Sequence, residues 1–473
     1  MEDVWVCRLC GHIDSTDTKL SRCSSCGNYM GLVRTSRSEA EQIAWRRRRR
    51  ALLRRICSLG LVVILVGGAT FWLLRFFLEW GPNPPKATTQ ISARVAPNTW
   101  AQSRRTPQNT GFTPESPPES HHVRWTYRTN KALHASPAVA GAHVYLTTED
   151  GRAFALDRLT GVEKWAYVSG SLSASTPAVT EDLVIFSIRP GRVIALDRHT
   201  GEQRWQTDLR HAIMSLISPL VVKGSVYIGA SDHKLYALDA ATGRQRWAFA
   251  TKDWILSTAA YTTTDDRVIV TSKDTLVYVV GAKTGRQRLA YPTGWGLHGG
   301  AGVVIEGERA YFGSSGGRVS AMAWRNITYP WEKPLRLWRG RLYMWGVLKN
   351  APEQKGRVWS TRIGGEVVHP PAIAHQAVYA VTVERGVASL AADTGTIHWQ
   401  VKLDVDITAA PTVAGHTVLV GTETGVVGLD ALSGTRRWAF RTNGKVTGSP
   451  IVAEGMMFVA SHDGVLYAVA ASE

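Results

Sequence analysis

A tryptophan recurs through this chain at a fixed interval, and that interval limits the fold more than any other feature. Trp125, Trp165, Trp205 and Trp247 lie about 40 residues apart; Leu289 stands one interval further on, and Trp359, Trp399 and Trp438 resume the series after a gap. Removing an insertion of about 30 residues from the gap leaves eight slots, seven of them filled by Trp. Each slot closes one pattern. Its fullest copies are Ala155-Leu156-Asp157…Thr160-Gly161…Trp165, Ala195-Leu196-Asp197…Thr200-Gly201…Trp205 and Ala237-Leu238-Asp239…Thr242-Gly243…Trp247, with Leu429-Asp430…Ser433-Gly434…Trp438 close behind. Weaker copies are Thr284-Gly285…Leu289 and Thr394-Gly395…Trp399.

Within a period, short alternating runs such as SVYIGA, KLYALD and RQRWAFA are bounded by Gly and Asp turns, which is strand chemistry. In Asp-x-x-Thr-Gly the Asp caps its own turn and the Gly takes a positive φ, so these acids are structural rather than catalytic. About four strands per period, repeated eight times, predicts an all-β, eight-bladed β-propeller over residues 98–473. The chain stops after Leu466-Tyr467-Ala468-Val469 with no Trp strand behind it. His122-Val123-Arg124-Trp125-Thr126-Tyr127 is therefore expected to complete the last blade and lock the ring.

The chain has 473 residues, 44% of them hydrophobic, which is too apolar for disorder. Its five Cys all lie in the first 57 residues, so no disulfide framework holds the repeats. Cys7-Arg-Leu-Cys10-Gly and Cys23-Ser-Ser-Cys26-Gly form two matched knuckles, and four thiolates at this spacing make a closed tetrahedral metal site. Residues 1–34 are too few to fold on a core of their own. They resemble zinc ribbons and the short rubredoxin-like domain of rubrerythrins; the resemblance implies Zn2+ at Cys7, Cys10, Cys23 and Cys26, with Fe as the alternative. His12 reads as a surface residue.

Residues 56–74 run without a charge, long enough to cross a bilayer core. Residues 35–55 form a basic juxtamembrane segment, 56–79 a transmembrane helix with Trp72 and Trp80 at its interface, and 80–97 a Pro-rich linker. A cleaved signal peptide is excluded by the long cysteine-bearing stretch before the apolar run. The formal net charge is +17, and residues 1–80 carry thirteen basic against seven acidic side chains, packed mainly between Arg46 and Arg55. Those arginines predict a cytoplasmic N-terminus and an extracytoplasmic (periplasmic) propeller on a single-pass inner-membrane anchor, so the charge does not argue for nucleic acid.

The A-x-D-x-x-T-G-x-x-x-W pattern, with the lead Trp100-Ala101-Gln102…Asn109-Thr110-Gly111, resembles the pyrroloquinoline-quinone (PQQ) repeat family. That family includes quinoprotein dehydrogenases and non-enzymatic scaffolds of the BamB type. The resemblance to its enzymes implies an adjacent Cys-Cys disulfide, a Ca2+ held by carboxylate and amide, and a catalytic Asp. This propeller has no Cys, and its inner-strand entries are small or neutral: Ser136, Ser175, Ser218, Ser257, His298, His369 and Ser449. PQQ is therefore not expected, nor is a catalytic residue. His134, His298 and His369 could converge at the channel mouth but show no acidic partner in the sequence.

The insertion, about 324–355, interleaves Trp324, Trp331, Trp338 and Trp345 with six basic residues between 324 and 349. Exposed Trp, Arg and Tyr anchor interfaces. Trp331, Trp338, Arg341, Tyr343 and Trp345 are the candidate partner-binding residues; the other readings are a loop folded over the propeller face that covers its own aromatics, and a contact with the membrane surface. The whole reads as a protein-binding scaffold, BamB-like, whose partners would be envelope or outer-membrane assembly machinery. The alternatives are a PQQ-dependent dehydrogenase or quinone-sensing propeller, and an electron-transfer protein with an iron-bearing head.

Overall fold

The computed structural model of the protein describes residues 3–15, 21–28, 30–77, 84–87, 99–209, 217–293, 302–329, 331–350, 352 and 354–471. They fall into two compact units, Met1–Asn83 and Pro84–Glu473.

In the first unit, Ile13–Asp14, Asp3–Cys7 and Leu32–Ser36 form a small antiparallel sheet in that order. Helix α1 (Arg37–Phe77) follows without a break. At 1.5 Å per residue its 41 residues extend roughly 60 Å. Residue 35 lies in the strand Leu32–Ser36, and residues 55 and 56 lie inside α1. Ala40 and Ala44, one helical turn apart and both buried, pack this helix on the sheet, and Ala40 joins Val4 and Val6 in a small core. The ribbon too small for its own core borrows one from the anchor. Beyond it, α1 is long and apolar enough to cross a membrane and none of its apolar window is buried by protein. Trp80 lies outside the described residues.

In the second unit, seven four-stranded antiparallel sheets and one of five strands, in which Phe112–Thr113 pairs in parallel with Thr412–Ala414, succeed one another among the described residues in a propeller-like arrangement. The first is Ala138–Ala140, His143–Thr147, Arg152–Asp157 and Glu163–Val168. The last is Ile451–Ala453, Met456–Ala460 and Val465–Ala470, and its fourth strand is His122–Arg128, with Ala468 opposite Trp125. The closing strand lies where the repeat places it.

Why the repeat needs its Trp and its Gly together becomes clear between sheets. The indole N–H of Trp165 donates to the carbonyl of Arg198, the residue after Asp197 in the following sheet's turn, at 3.0 Å. Trp125, Trp205, Trp247, Trp359 and Trp399 reach Arg158, Ala240, Ala282, Ala392 and Ala431 in the same way, at 2.9–3.0 Å. Each ring lies flat over the turn's glycine: a Cβ on Gly201 would meet Trp165 at 2.7 Å, and Gly201 has φ +76. Adjacent sheets are therefore locked by one aromatic ring, one carbonyl and one residue without a side chain. Among the described residues the Trp438 indole makes no such hydrogen bond. It packs on His121 instead, ring centroids 4.1 Å apart.

The slot held by Leu289 is filled from the other side. Trp324 stands just past the end of strand Arg318–Ala323, is 2% exposed, and joins Leu289 in one core cluster, its indole donating to the Gly307 carbonyl at 3.0 Å. Trp324 was expected in the protruding insertion. It belongs to the blade core, because a Trp in this sheet compensates for the missing one in the sheet before.

Candidate functional sites

Residues 100–115 form a lead that touches all eight inner edges in turn. Trp100 pairs with Val139; the carbonyls of Ala101, Pro107, Gln108, Thr110 and Gly111 accept from Val179, Tyr261, Ile305, Ile373 and Val413. The Gln102 and Glu115 side chains accept from the amides of Val221 and Gly455. Left-handed backbone at Arg104 (φ 58), Arg105 (φ 70), Asn109 (φ 60) and Gly111 (φ 61) lets the lead coil tightly enough to do this. Non-glycine residues hold such angles only when their surroundings compel them.

Against the lead lies an axial pocket of about 280 Å³, lined by residues from all eight sheets' inner-strand entries and by Ser103, Arg104 and Asn109. Ser136, Ser218, Ser257, His369 and Ser449 line it as the sequence led us to expect. Ser175 does not. It is fully buried and bonded to the backbone of Ser187, because its side chain turns into the blade. His298 lies outside the described residues. His134 lines the pocket but has an acidic neighbour after all, Glu149 at 3.6 Å, and a ring contact with His462. Burial, and then the charge of Arg104, push the His369 imidazole down to about 4, so it is neutral at physiological pH. Arg104 itself escaped the sequence reading. Its only sequence signal was its place between Gln102 and Asn109 of the lead.

The turn acids behave as caps. Asp430 accepts from the amides of Leu432 and Ser433 and from the Ser433 hydroxyl, and pairs with Arg437. The Ser433 amide first, then Arg437, holds its carboxyl down at about 2. Asp197 is lowered further, by Arg204 at 2.6 Å and by the Thr200 amide. Neither is among the residues lining the axial pocket.

In the first unit the sulfurs of Cys7, Cys10, Cys23 and Cys26 all lie within 4.8 Å of one another. Cys10 and Cys23 are 3.4 Å apart, Cys7 and Cys26 3.8 Å. A tetrahedral centre with ~2.3 Å metal–sulfur bonds has edges of ~3.8 Å, so the cluster fits a metal ion. Hydrogen bonding from the Cys26 amide, and then from that of Ser25, pulls the Cys23 thiol down to about 6. Cys10 moves up to about 12, because desolvation and the adjacent sulfurs disfavour a second thiolate. Sulfurs that cannot all ionise alone are the set a cation stabilises. His12 stays outside the cluster, against Asp14 at 3.4 Å.

The insertion carries helix α2 (Glu332–Met344), starting with Pro334 in its first turn and ended by Gly346 at φ +74, whose amide and that of Val347 bond back to Tyr343 and Leu342. At helical spacing Trp331, Leu335, Trp338, Leu342 and Trp345 fall on one stripe. Trp331, Leu335, Trp338 and Trp345 are exposed, as are Arg341 and Tyr343, and Trp345 reaches 68%. Tyr329 stacks on Trp331, and with Leu335, Arg336, Arg339 and Lys355 they line an apolar groove of about 500 Å³. Among the described residues the insertion leaves Trp331, Trp338 and Trp345 exposed.

The family described as outer membrane protein assembly factor BamB matches at residues 117–212, 189–345, 346–406 and 385–473. The chain belongs to that family. BamB-family likeness extends to solved structures. BamB from Moraxella catarrhalis superposes with a TM-score of 0.59 at 16% identity, covering 74% of this chain and 100% of that one. Quinohemoprotein alcohol dehydrogenase from Comamonas testosteroni gives 0.62 at 13% identity, over 80% of this chain and 82% of that one. The computationally designed Ika8 protein gives 0.56 at 16%, over 74% and 100%. At these identities the likeness concerns the fold. No curated protein sequence matches the chain.

PQQ, which the resemblance to quinoprotein dehydrogenases would imply, does not suit the residues present. Among the described residues lining the axial pocket there is no carboxylate to hold the accompanying cation and no cysteine to stack on the ring.

Proposed function

We propose that this chain is a membrane-anchored extracytoplasmic scaffold whose propeller binds other proteins, in a BamB-like role in envelope or outer-membrane protein assembly. The observation that carries the reading is helix α2, an exposed Trp-Leu stripe flanked by Arg336, Arg339 and Arg341 beside an open groove. Trp and Arg supply large contact area and charge at interfaces, and a face of three tryptophans left in water costs solubility unless something covers it. Trp331, Trp338, Arg341, Tyr343 and Trp345 would form the docking face, for a partner segment that is apolar and acidic. The arginines before the apolar run support a cytoplasmic ribbon by the positive-inside rule, and the four-cysteine set suits Zn2+.

Crosslinking and affinity capture from native membranes test this. The full chain is compared with a variant whose residues 331–350 are replaced by a short Gly-Ser linker, which leaves Trp324 in the blade. Loss of a discrete partner supports the proposal; an unchanged partner set overturns the assignment of α2, and capture of lipid alone makes the helix a membrane contact.

A further inference from the structure

Arg104 is 6% exposed, and no Asp or Glu is among the residues lining the pocket that it faces. Two of its nitrogens donate to the carbonyls of Pro371 and Pro411, each at 2.6 Å, while its Nε has no partner. Carbonyl dipoles orient a guanidinium but do not neutralise it, and a buried cation without a counter-charge is costly. Its position is nonetheless enforced. The residue sits at φ 58, and Gly111 must lack a side chain because a Cβ there would strike the guanidinium. Around it the pocket offers hydroxyl donors. Ser136 and Ser449, from the first and last sheets' entries, have no hydrogen-bond partner among the described residues. The nearby His369 is held neutral by its burial and by Arg104, so it adds no second charge beside the guanidinium.

We propose that the axial pocket binds one small oxyanion, a carboxylate, sulfate or phosphate group, against the Arg104 guanidinium, with Ser136 and Ser449 donating to it. The anion supplies the missing counter-charge, and charge-assisted hydrogen bonds to a planar guanidinium are the strong ones. A volume of about 280 Å³ admits an anion of a few heavy atoms together with water. This site is independent of helix α2, so it stands or falls apart from the scaffold reading.

The test is titration calorimetry on the full chain in detergent with sodium sulfate, phosphate and acetate, at ionic strength held constant with chloride. One saturable site per chain is expected for at least one of the three. Arg104→Gln should abolish it. Because Arg104 also ties two inner strands, that variant could fail to fold. The double variant Ser136→Ala/Ser449→Ala, whose hydroxyls hold nothing else, is the independent check. It should keep its melting profile and bind about ten-fold more weakly, as loss of hydrogen bonds to a charged group predicts. Absence of saturable binding for all three anions, or binding of unchanged affinity in the double variant, overturns the proposal.

Discussion

Replacing Gly201 by alanine puts the inter-sheet lock to a quantitative test. The new Cβ would lie 2.7 Å from Trp165, whose ring is buried and pinned by its bond to Arg198, so neither side can move freely. Two costs combine. A left-handed φ of +76 costs alanine about 1–2 kcal/mol relative to glycine, and overpacking against a fixed ring about 1–3 kcal/mol. Gly455 separates them: its φ is +72, but a Cβ there meets nothing within 4 Å. Gly455→Ala should therefore show only the first cost, partly offset by about 0.4–1 kcal/mol from the stiffer unfolded chain. Guanidinium unfolding of the full chain in detergent, followed by far-UV circular dichroism, should place Gly201→Ala about 1–3 kcal/mol below Gly455→Ala. Trp165→Leu in the same chain should recover most of that difference, which is the signature of a direct contact in a double-mutant cycle. Equal losses for the two glycine variants, with additive behaviour in the cycle, would refute the lock.

Three further outcomes are expected. Leu289→Trp should destabilise by about 1–3 kcal/mol, since Trp324 already fills that slot, and Leu289→Trp/Trp324→Ala should recover much of it in the same unfolding measurement. The Asp430 carboxyl is lowered in the folded state, so its contribution is complete above the ordinary value near ~3.9 and is lost as pH falls towards about 2. Asp430→Asn should therefore lower stability at neutral pH and flatten the acid limb of the stability–pH curve. Cys23→Ser should release one metal equivalent, read by elemental analysis, and increase proteolysis within residues 1–34 while the propeller's melting transition stays put. A colourless zinc-bearing wild type is expected; a red, reducible iron centre would favour the electron-transfer alternative.

Much of the propeller was legible because its determinants are local. Asp, Thr, Gly and Trp at fixed offsets specify the turn and the strand after it, and the repetition of the offsets specifies the number of sheets. The closing strand followed from an unfilled slot at the chain's end. Arg104 was not legible for the opposite reason: the carbonyls that hold it lie 267 and 307 residues away, and nothing near it in sequence announces them. Trp324 misled by proximity to the other tryptophans of the insertion, whereas its role is set by Leu289 in the neighbouring sheet. The start of α1 was hidden under a run of arginines, although Ala40 and Ala44, one turn apart, were the signal of a packed face.

Docking through α2 is most directly tested by a photoreactive amino acid placed at position 338 of the full chain in its native membrane. A discrete protein adduct is expected on illumination, absent when the same probe replaces the solvent-facing Leu432 on a blade turn. Adducts to lipid alone, or none at all, would contradict it.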